Sequence, residues 1–186
     1  DGKRELVTMR WGFPGAKAAR PNEPPKHIHA RGETVDTLPT FAECFADRRG
    51  ILPVYTFNEG EELPSGKTKQ WTITPKDGQV IGIAVIWREF EFSDGTLTAF
   101  VQVTTEANKL ISAITDRMPA IIKLDDWSVW LGENGASEKD AKALLVPFDD
   151  AGNWTMEPQD KPRKDAPPKK PKGADLFDFA PSQPDN

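Results

Sequence analysis

Apolar runs, some alternating with polar residues, recur along the chain and predict a protein built mainly of strands. Residues 5–9 alternate with the two-residue period of a strand. Later runs are rich in the β-branched and aromatic residues that favour strands, and they cover residues 51–54, 70–74, 80–87 and 97–103. Ser93-Asp94-Gly95 has the composition of a tight turn, so we expect the last two runs to form a hairpin.

Short helices are predicted around these strands. Thr40-x-x-Glu43 has the spacing of a capping box, and Phe41, Cys44 and Phe45 would share the apolar face of the helix that follows. Three more helices are expected, over residues 106–114, around Trp127, Trp130 and Leu131, and after Ser137-x-x-Asp140. Since strands outnumber helices without alternating regularly with them, the expected fold class is α+β. We expect a mainly antiparallel, strongly curved sheet, short peripheral helices and a disordered C-terminal tail.

Composition predicts one folded domain over residues 1–156 and a disordered tail over residues 157–186. The tail consists largely of Pro, Lys and Asp and has few apolar residues with which to form a core. No apolar run approaches the length of a membrane span, and a single cysteine excludes an intramolecular disulfide. We therefore expect a cytoplasmic, monomeric protein without membrane contact.

The charge distribution limits how the protein could bind nucleic acid. The net charge is −5, and residues 161–186 carry six Lys or Arg against four Asp or Glu, a balance of +2. The remaining chain therefore carries −7 by difference. Any DNA site must then be a local cluster of arginines rather than a broad basic face.

Two arginines lie in polar motifs at the ends of apolar runs, where binding and catalytic residues are common. Arg31 lies in Ala30-Arg31-Gly32-Glu33-Thr34, and Arg117 in Ile114-Thr115-Asp116-Arg117-Met118-Pro119. A guanidinium group is well shaped for DNA phosphates. The local sequence equally allows structural ion pairs of Arg31 with Glu33 and of Arg117 with Asp116.

Glu59, Trp11 and Phe57 also have two possible roles each. A carboxylate such as Glu59 can transfer protons if a partly desolvated cleft raises its pKa, or it can be a solvated loop acid. Trp11 and Phe57 can stack on unpaired bases, or they can pack in the core.

Two further groups were weighed as reactive sites. His27 and His29 share one face of an extended segment and could hold a metal with Glu59, which leaves a metal-dependent hydrolase as one hypothesis. Cys44 lies on the apolar face of its expected helix, so we interpret it as an inert packing residue.

Together with Arg10-Trp11-Gly12, these motifs resemble those of the SOS response-associated peptidase family. Its members bind single-stranded DNA and capture abasic sites through an N-terminal cysteine. The resemblance runs from about Leu6 to Leu131. It implies that Glu59 is the catalytic glutamate, that Arg31 and Arg117 hold the phosphates, and that Trp11 shapes the path of the strand. Phe57 remains a candidate DNA-binding residue through its aromatic ring alone.

Three departures from the family pattern affect the expected chemistry. The asparagine that precedes Ala-Arg in the family is His29 here, and the histidine that precedes Asp-Arg is Thr115. Thr115 cannot act as a general acid or base at neutral pH, so the role either passes to His29 or is lost. The N-terminal cysteine has no counterpart here. Because the chain begins at Asp1, we expect this cysteine to lie upstream, in a longer gene product.

The resemblance implies covalent capture of abasic sites in single-stranded DNA during the DNA damage response. Associated autoproteolytic, cysteine peptidase-like and lyase-type activities are implied as well, with no cofactor and no metal. The alternative is a non-catalytic module that binds single-stranded DNA and has lost the cysteine and histidine chemistry.

The tail contains one apolar cluster, Leu176-Phe177-Asp178-Phe179. Asp175-Leu176-Phe177 resembles the end of bacterial sliding-clamp binding peptides. The clamp is therefore a candidate partner through Leu176, Phe177 and Phe179, unless the cluster folds back onto the domain.

Overall fold

A hairpin of two long strands forms the centre of the fold. The computed structural model describes residues 4–149 and 151–159. In this part of the chain, β6 (Ile81–Phe92) and β7 (Gly95–Glu106) pair antiparallel, with Phe92 opposite Gly95. Gly95 has a φ of 136°, which only glycine adopts readily, so it permits the tight turn. The predicted hairpin is confirmed.

Five short strands extend the hairpin into a seven-stranded sheet. β1 (Arg10–Trp11) and β2 (His29–Arg31) pair in parallel with β7, and β3 (Arg49–Val54) pairs antiparallel with β6. β8 (Arg117–Pro119) pairs antiparallel with β7, and β9 (Ile121–Ile122) pairs antiparallel with β6. The sheet is thus mixed and does not close.

The α+β prediction is confirmed at the level of many strands and few short helices. A mainly antiparallel, strongly curved sheet is not confirmed, because both pairings of β1 and β2 with β7 are parallel. The three α-helices of the described residues are α1 (Ala42–Asp47), α2 (Trp127–Trp130) and α3 (Glu138–Ala143).

A smaller antiparallel sheet contains β4 (Phe57–Glu62), β5 (Thr68–Pro75) and β10 (Trp154–Pro158), in the order β10-β5-β4. Glu59 lies within β4, opposite Trp71, and not in a loop after a strand as its sequence context suggested. Phe57 and Glu59 share a face of β4 because side chains alternate along a strand.

One of the two predicted capping boxes is present in the structure. Ser137 and Asp140 form the predicted capping box of α3. α1 begins as predicted, but its N-cap is Phe41 and no side chain caps it, so the Thr40 capping box was wrong.

Two other predicted elements were also wrong. Residues 106–114 contain a single 3-10 turn, Ile111–Ala113, because β7 continues through Glu106. Residues 5–9 form no strand, and Leu6 is largely exposed, because this segment has no pairing partner in the described structure.

Two apolar cores lie around the large sheet. The first packs α1 and α2 against the hairpin and contains Cys44, whose thiol pKa is raised chiefly by burial. The second joins the two sheets through Phe57, Ile73, Ile111 and Met118. Burying a side chain such as Met118 stabilises the fold by about 2 kcal/mol. Met118 therefore anchors the residue before it, Arg117.

None of the helices within residues 4–149 and 151–159 has the length and apolar character needed to cross a bilayer. The predicted disordered tail lies almost wholly outside the described residues, as does the clamp motif with Leu176, Phe177 and Phe179. The domain boundary at residue 156 stays a prediction.

Candidate functional site

An open cleft of about 680 Å³ lies at the end of β7. It exists because β2 ends and β8 begins beside the last residues of β7: Arg31 is opposite Thr104, and Arg117 is opposite Glu106. The residues that line the cleft are Arg31, Glu106, Ala107, Ser112, Ala113, Ile114, Thr115, Asp116 and Arg117. Both predicted DNA-binding arginines are therefore on its walls.

Arg117 is held by contacts from two other elements. Its Nη1 and Nη2 donate to the two carboxylate oxygens of Glu33 at 2.6 and 2.9 Å. Nη2 also donates to the carbonyl oxygen of Thr104 at 2.8 Å. Its Nε is buried and has no hydrogen-bond partner. The ion pair of Arg117 thus forms with Glu33, not with Asp116 as the local sequence allowed.

Glu33 links the two arginines electrostatically. The hydrogen bonds from Arg117 lower the pKa of Glu33, burial opposes this shift, and the positive charge of Arg31 adds to the lowering. The Glu33 side chain is 48% exposed, whereas that of Arg117 is 23% exposed. Arg31 itself is exposed at the end of β2.

The wall that carries Thr115 is held by a buried asparagine. Asn108 is 6% exposed, and its Oδ1 accepts from the backbone N–H groups of Leu110 and Ile111 at 3.1 and 3.0 Å. Its Nδ2 donates to the carbonyl oxygen of Phe148 at 2.8 Å. The amide of Thr115 donates to the Ile111 carbonyl at 3.1 Å, which closes the turn. These bonds place Thr115 in the cleft lining.

Glu59 has an altered acidity. Burial raises its pKa to about 7, so a proton can be gained or lost near neutrality. Glu59 does not line the cleft. It shares a strand face with Phe57, which packs in the same core as Ile114, the neighbour of Thr115.

Phe57 does not fit the predicted role of a stacking platform. Its side chain is 7% exposed, and its ring packs edge to face on Trp154 at 5.6 Å between centroids. A base cannot reach a ring that is buried in this way. The core-packing alternative is correct for Phe57.

Trp11 and His29 lie together on the edge strands β1 and β2. Trp11 is 47% exposed, its Nε1 donates to the Ile28 carbonyl at 2.9 Å, and its ring centroid is 5.9 Å from that of His29. Partial desolvation lowers the pKa of His29, against a hydrogen bond with Gln102 that raises it. Neither ring lines the cleft.

The Arg10-Trp11-Gly12 motif has a structural role in holding the loop that follows β1. The guanidinium of Arg10 donates to the carbonyl oxygens of Pro21 and Glu23, which holds the following loop against β1. Gly12 has a φ of +99°, and a Cβ at this position would lie 2.4 Å from Pro25. The motif therefore fixes the direction in which Trp11 leaves the sheet.

The residues predicted for the site lie in more than one place in the structure. The structure brings Arg31, Thr115 and Arg117 into one cleft, but places Trp11 with His29 outside its lining and Glu59 on another sheet. Glu33 as the partner of Arg117 was missed, because the parallel pairing of β2 leaves no local signal. Glu106 in the lining was missed as well.

The metal hypothesis has no structural support. Within residues 4–149 and 151–159, no three His, Cys, Asp or Glu side chains converge as they would around a metal ion. The ring of His27 packs on Phe41 at 5.7 Å instead. His27, His29 and Glu59 do not form such a group in the described part of the chain.

Comparison with known proteins identifies the family. Residues 1–160 match the family described as SOS response associated peptidase (SRAP). The chain belongs to the SRAP family. The departures at His29 and Thr115 are therefore variations within a family member.

Curated relatives of the chain are abasic site processing proteins of Bacillus subtilis. YoaM is 31% identical over 147 residues, which are 77% of this chain and 64% of YoaM. YoqW is 29% identical over 147 residues, 77% of this chain and 65% of YoqW. The chain thus spans less than two thirds of the length of these relatives.

Solved structures share the fold. A protein from Bordetella bronchiseptica superposes with a TM-score of 0.71 at 24% identity, over 86% of this chain and 79% of that protein. A protein from Bacteroides thetaiotaomicron gives a TM-score of 0.63 at 26% identity, over 70% of this chain and 57% of that protein. This likeness supports the mixed architecture of many strands and short helices.

Proposed function

We propose that this chain is the DNA-binding part of a protein that captures abasic sites in single-stranded DNA, and that it also supplies a proton-transfer group for the capture. The observation that carries the proposal is the convergence of Arg31 and Arg117 on one open cleft. Two guanidinium groups on the walls of a cleft suit the phosphates of a strand. The names of YoaM and YoqW, abasic site processing proteins, indicate the lesion that such a strand carries.

We assign the covalent step to an N-terminal cysteine upstream of the present sequence, as the family resemblance implies. A ring-opened abasic sugar presents an aldehyde. The cysteine amine adds to its carbon and water leaves; the thiol sulfur then adds to the imine carbon, and the thiol proton passes to the nitrogen. A thiazolidine results. The same cysteine and Glu59 would perform the autoproteolysis for which the family is named.

Glu59 is the proton-transfer group in this proposal. Its pKa of about 7 lets protonated Glu59 donate its proton to the hydroxyl that leaves the sugar as water, and lets the resulting carboxylate take a proton from the attacking water in the reverse step. Trp11, half-exposed on β1, guides the strand beyond the cleft by stacking on a base. Cys44 cannot substitute for the upstream cysteine because it is buried and has no amine beside it.

A specific observation favours a second candidate, the non-catalytic module. Thr115 occupies the cleft wall where the family has a histidine, and an alcohol hydroxyl cannot act as a general acid or base at neutral pH. His29 does not line the cleft, and partial desolvation lowers the pKa of its imidazole. Without that acid or base, reversible binding through Arg31 and Arg117 would be the remaining function.

A denaturing gel separates the two candidates. The gene product with its natural N-terminus is incubated with a single-stranded oligonucleotide that carries one abasic site. We expect a shifted band that survives denaturation and disappears when the N-terminal cysteine is changed to serine. Binding in a native gel without such a band would instead establish the non-catalytic module.

The 186-residue chain serves as the matched control, since its one cysteine is Cys44. We expect no denaturation-resistant band from it. A resistant band that disappears with Cys44→Ser would contradict the assignment of the nucleophile.

A further inference from the structure

Glu33 occupies the part of Arg117 that a phosphate would use. We propose that Glu33 and a DNA phosphate compete for Arg117, so that a strand binds by replacing the carboxylate with a phosphate on the same guanidinium. This inference rests on the proposed function and adds a residue that sets how tightly the cleft holds DNA. It follows from the donors of Arg117, from the charge of the cleft and from the exposure of Glu33.

Arg117 has no free pair of N–H donors for a bidentate contact with a phosphate. A guanidinium carries five N–H donors. Glu33 takes one each from Nη1 and Nη2, and the Thr104 carbonyl takes the second of Nη2. Nε is buried, so it is out of reach of an incoming strand. The one N–H left on Nη1 cannot form the bidentate contact that phosphate oxygens favour.

The charge of the cleft makes this competition matter. Its lining carries Arg31 and Arg117 against Glu106 and Asp116, and Glu33 on Arg117 adds a third carboxylate. Two positive and three negative groups leave this set at −1. A phosphate therefore gains little from the cleft unless one of the carboxylates moves away.

Glu33 is the carboxylate best placed to move. Its side chain is 48% exposed, so it can turn into solvent and remain hydrated. Arg117 keeps its bond to the Thr104 carbonyl and its place beside buried Met118, so the guanidinium stays in position during the exchange. Ion pairs at such exposure are weak, which makes the exchange easy.

The test measures the affinity of the 186-residue chain for a single-stranded oligonucleotide that carries a stable abasic analogue. Glu33→Gln keeps the shape of the side chain and removes its charge. We expect it to tighten binding by about fivefold, the upper range for releasing an exposed ion pair. Glu106→Gln removes another cleft carboxylate, which lies opposite Arg117 but does not accept from its side-chain donors, and is the control for the general field.

A double-mutant cycle isolates the competition. In an Arg117→Ala background, Glu33→Gln should give no more gain than Glu106→Gln, because the contested guanidinium is gone. Weaker DNA binding by Glu33→Gln would show that Glu33 positions Arg117 for binding. An equal increase in affinity in the Arg117→Ala background would show that Glu33 acts only through its negative charge. Either result overturns the proposal. If neither the wild-type chain nor Glu33→Gln binds the oligonucleotide, the proposed function falls, and the exchange with it.

Discussion

At the scale of single residues, two glutamates experience opposite environments. Arg117 lowers the pKa of Glu33, and burial raises that of Glu59 to about 7. Their sequences gave no sign of this difference, since each lies in a polar motif near other acids. Local sequence could nominate Glu59 and Arg117, but their environment depends on which distant residues pack against them. The opposed pKa shifts suit one carboxylate for ion pairing and the other for proton transfer.

Glu59 should make the stability of the protein fall as pH rises from about 4.5 to about 7. In that window the unfolded chain releases the Glu59 proton first, so ionisation favours unfolding; above pH 7 the cost is constant. A shift from 4.5 to about 7 corresponds to about 3 kcal/mol as an upper value. The free energy of unfolding of Glu59→Gln should therefore equal that of wild type near pH 4.5 and exceed it by up to about 3 kcal/mol at pH 8.

Denaturant unfolding at several pH values measures this difference. Glu62→Gln, at the exposed end of the same strand, is the matched control and should leave the pH profile of wild type in place. A stability difference between Glu59→Gln and wild type that does not depend on pH would contradict the altered acidity of Glu59.

At the scale of elements, the sequence predicted those turns and helix ends that are stabilised by adjacent residues. The hairpin turn at Gly95 and the capping box of Ser137 could be predicted because each depends on a few adjacent residues. β1 and β2 could not, since two- and three-residue strands are stabilised by pairing with a distant partner, β7. The expected helix over residues 106–114 did not form, because β7 continues through Glu106 and the Asn108 side chain then bonds the backbone of its own turn.

Asn108 should be a main support of the cleft wall. Asn108→Ala leaves the N–H groups of Leu110 and Ile111 and the carbonyl of Phe148 without their partner in a buried site. We expect a loss of about 2 kcal/mol in the free energy of unfolding. Ser112→Ala removes an exposed hydroxyl from the same segment and should change stability by less than about 0.5 kcal/mol. Equal stability of the two variants would show that Asn108 does not hold the wall.

At the scale of the whole molecule, the site is a small group of arginines on an acidic protein. The net charge of −5 gives no general attraction for DNA, so the proposed affinity is assigned to Arg31 and Arg117. The sequence could nominate both arginines through the motifs of the SRAP family. It could not predict their shared cleft, because the end of β7 joins segments that are far apart along the chain.

The central claim is that these two arginines hold DNA phosphates, and the salt dependence of binding tests it most directly. The affinity of the 186-residue chain for a single-stranded oligonucleotide with a stable abasic analogue is measured across salt concentrations. Arg31→Ala and Arg117→Ala should each weaken binding and each reduce the slope of log affinity against log salt by about 0.7. Arg48→Ala removes an arginine beside β3, at the opposite edge of the large sheet, and should leave the slope as in wild type. Unchanged affinity and slope in both cleft variants would contradict the account and make the arginines structural.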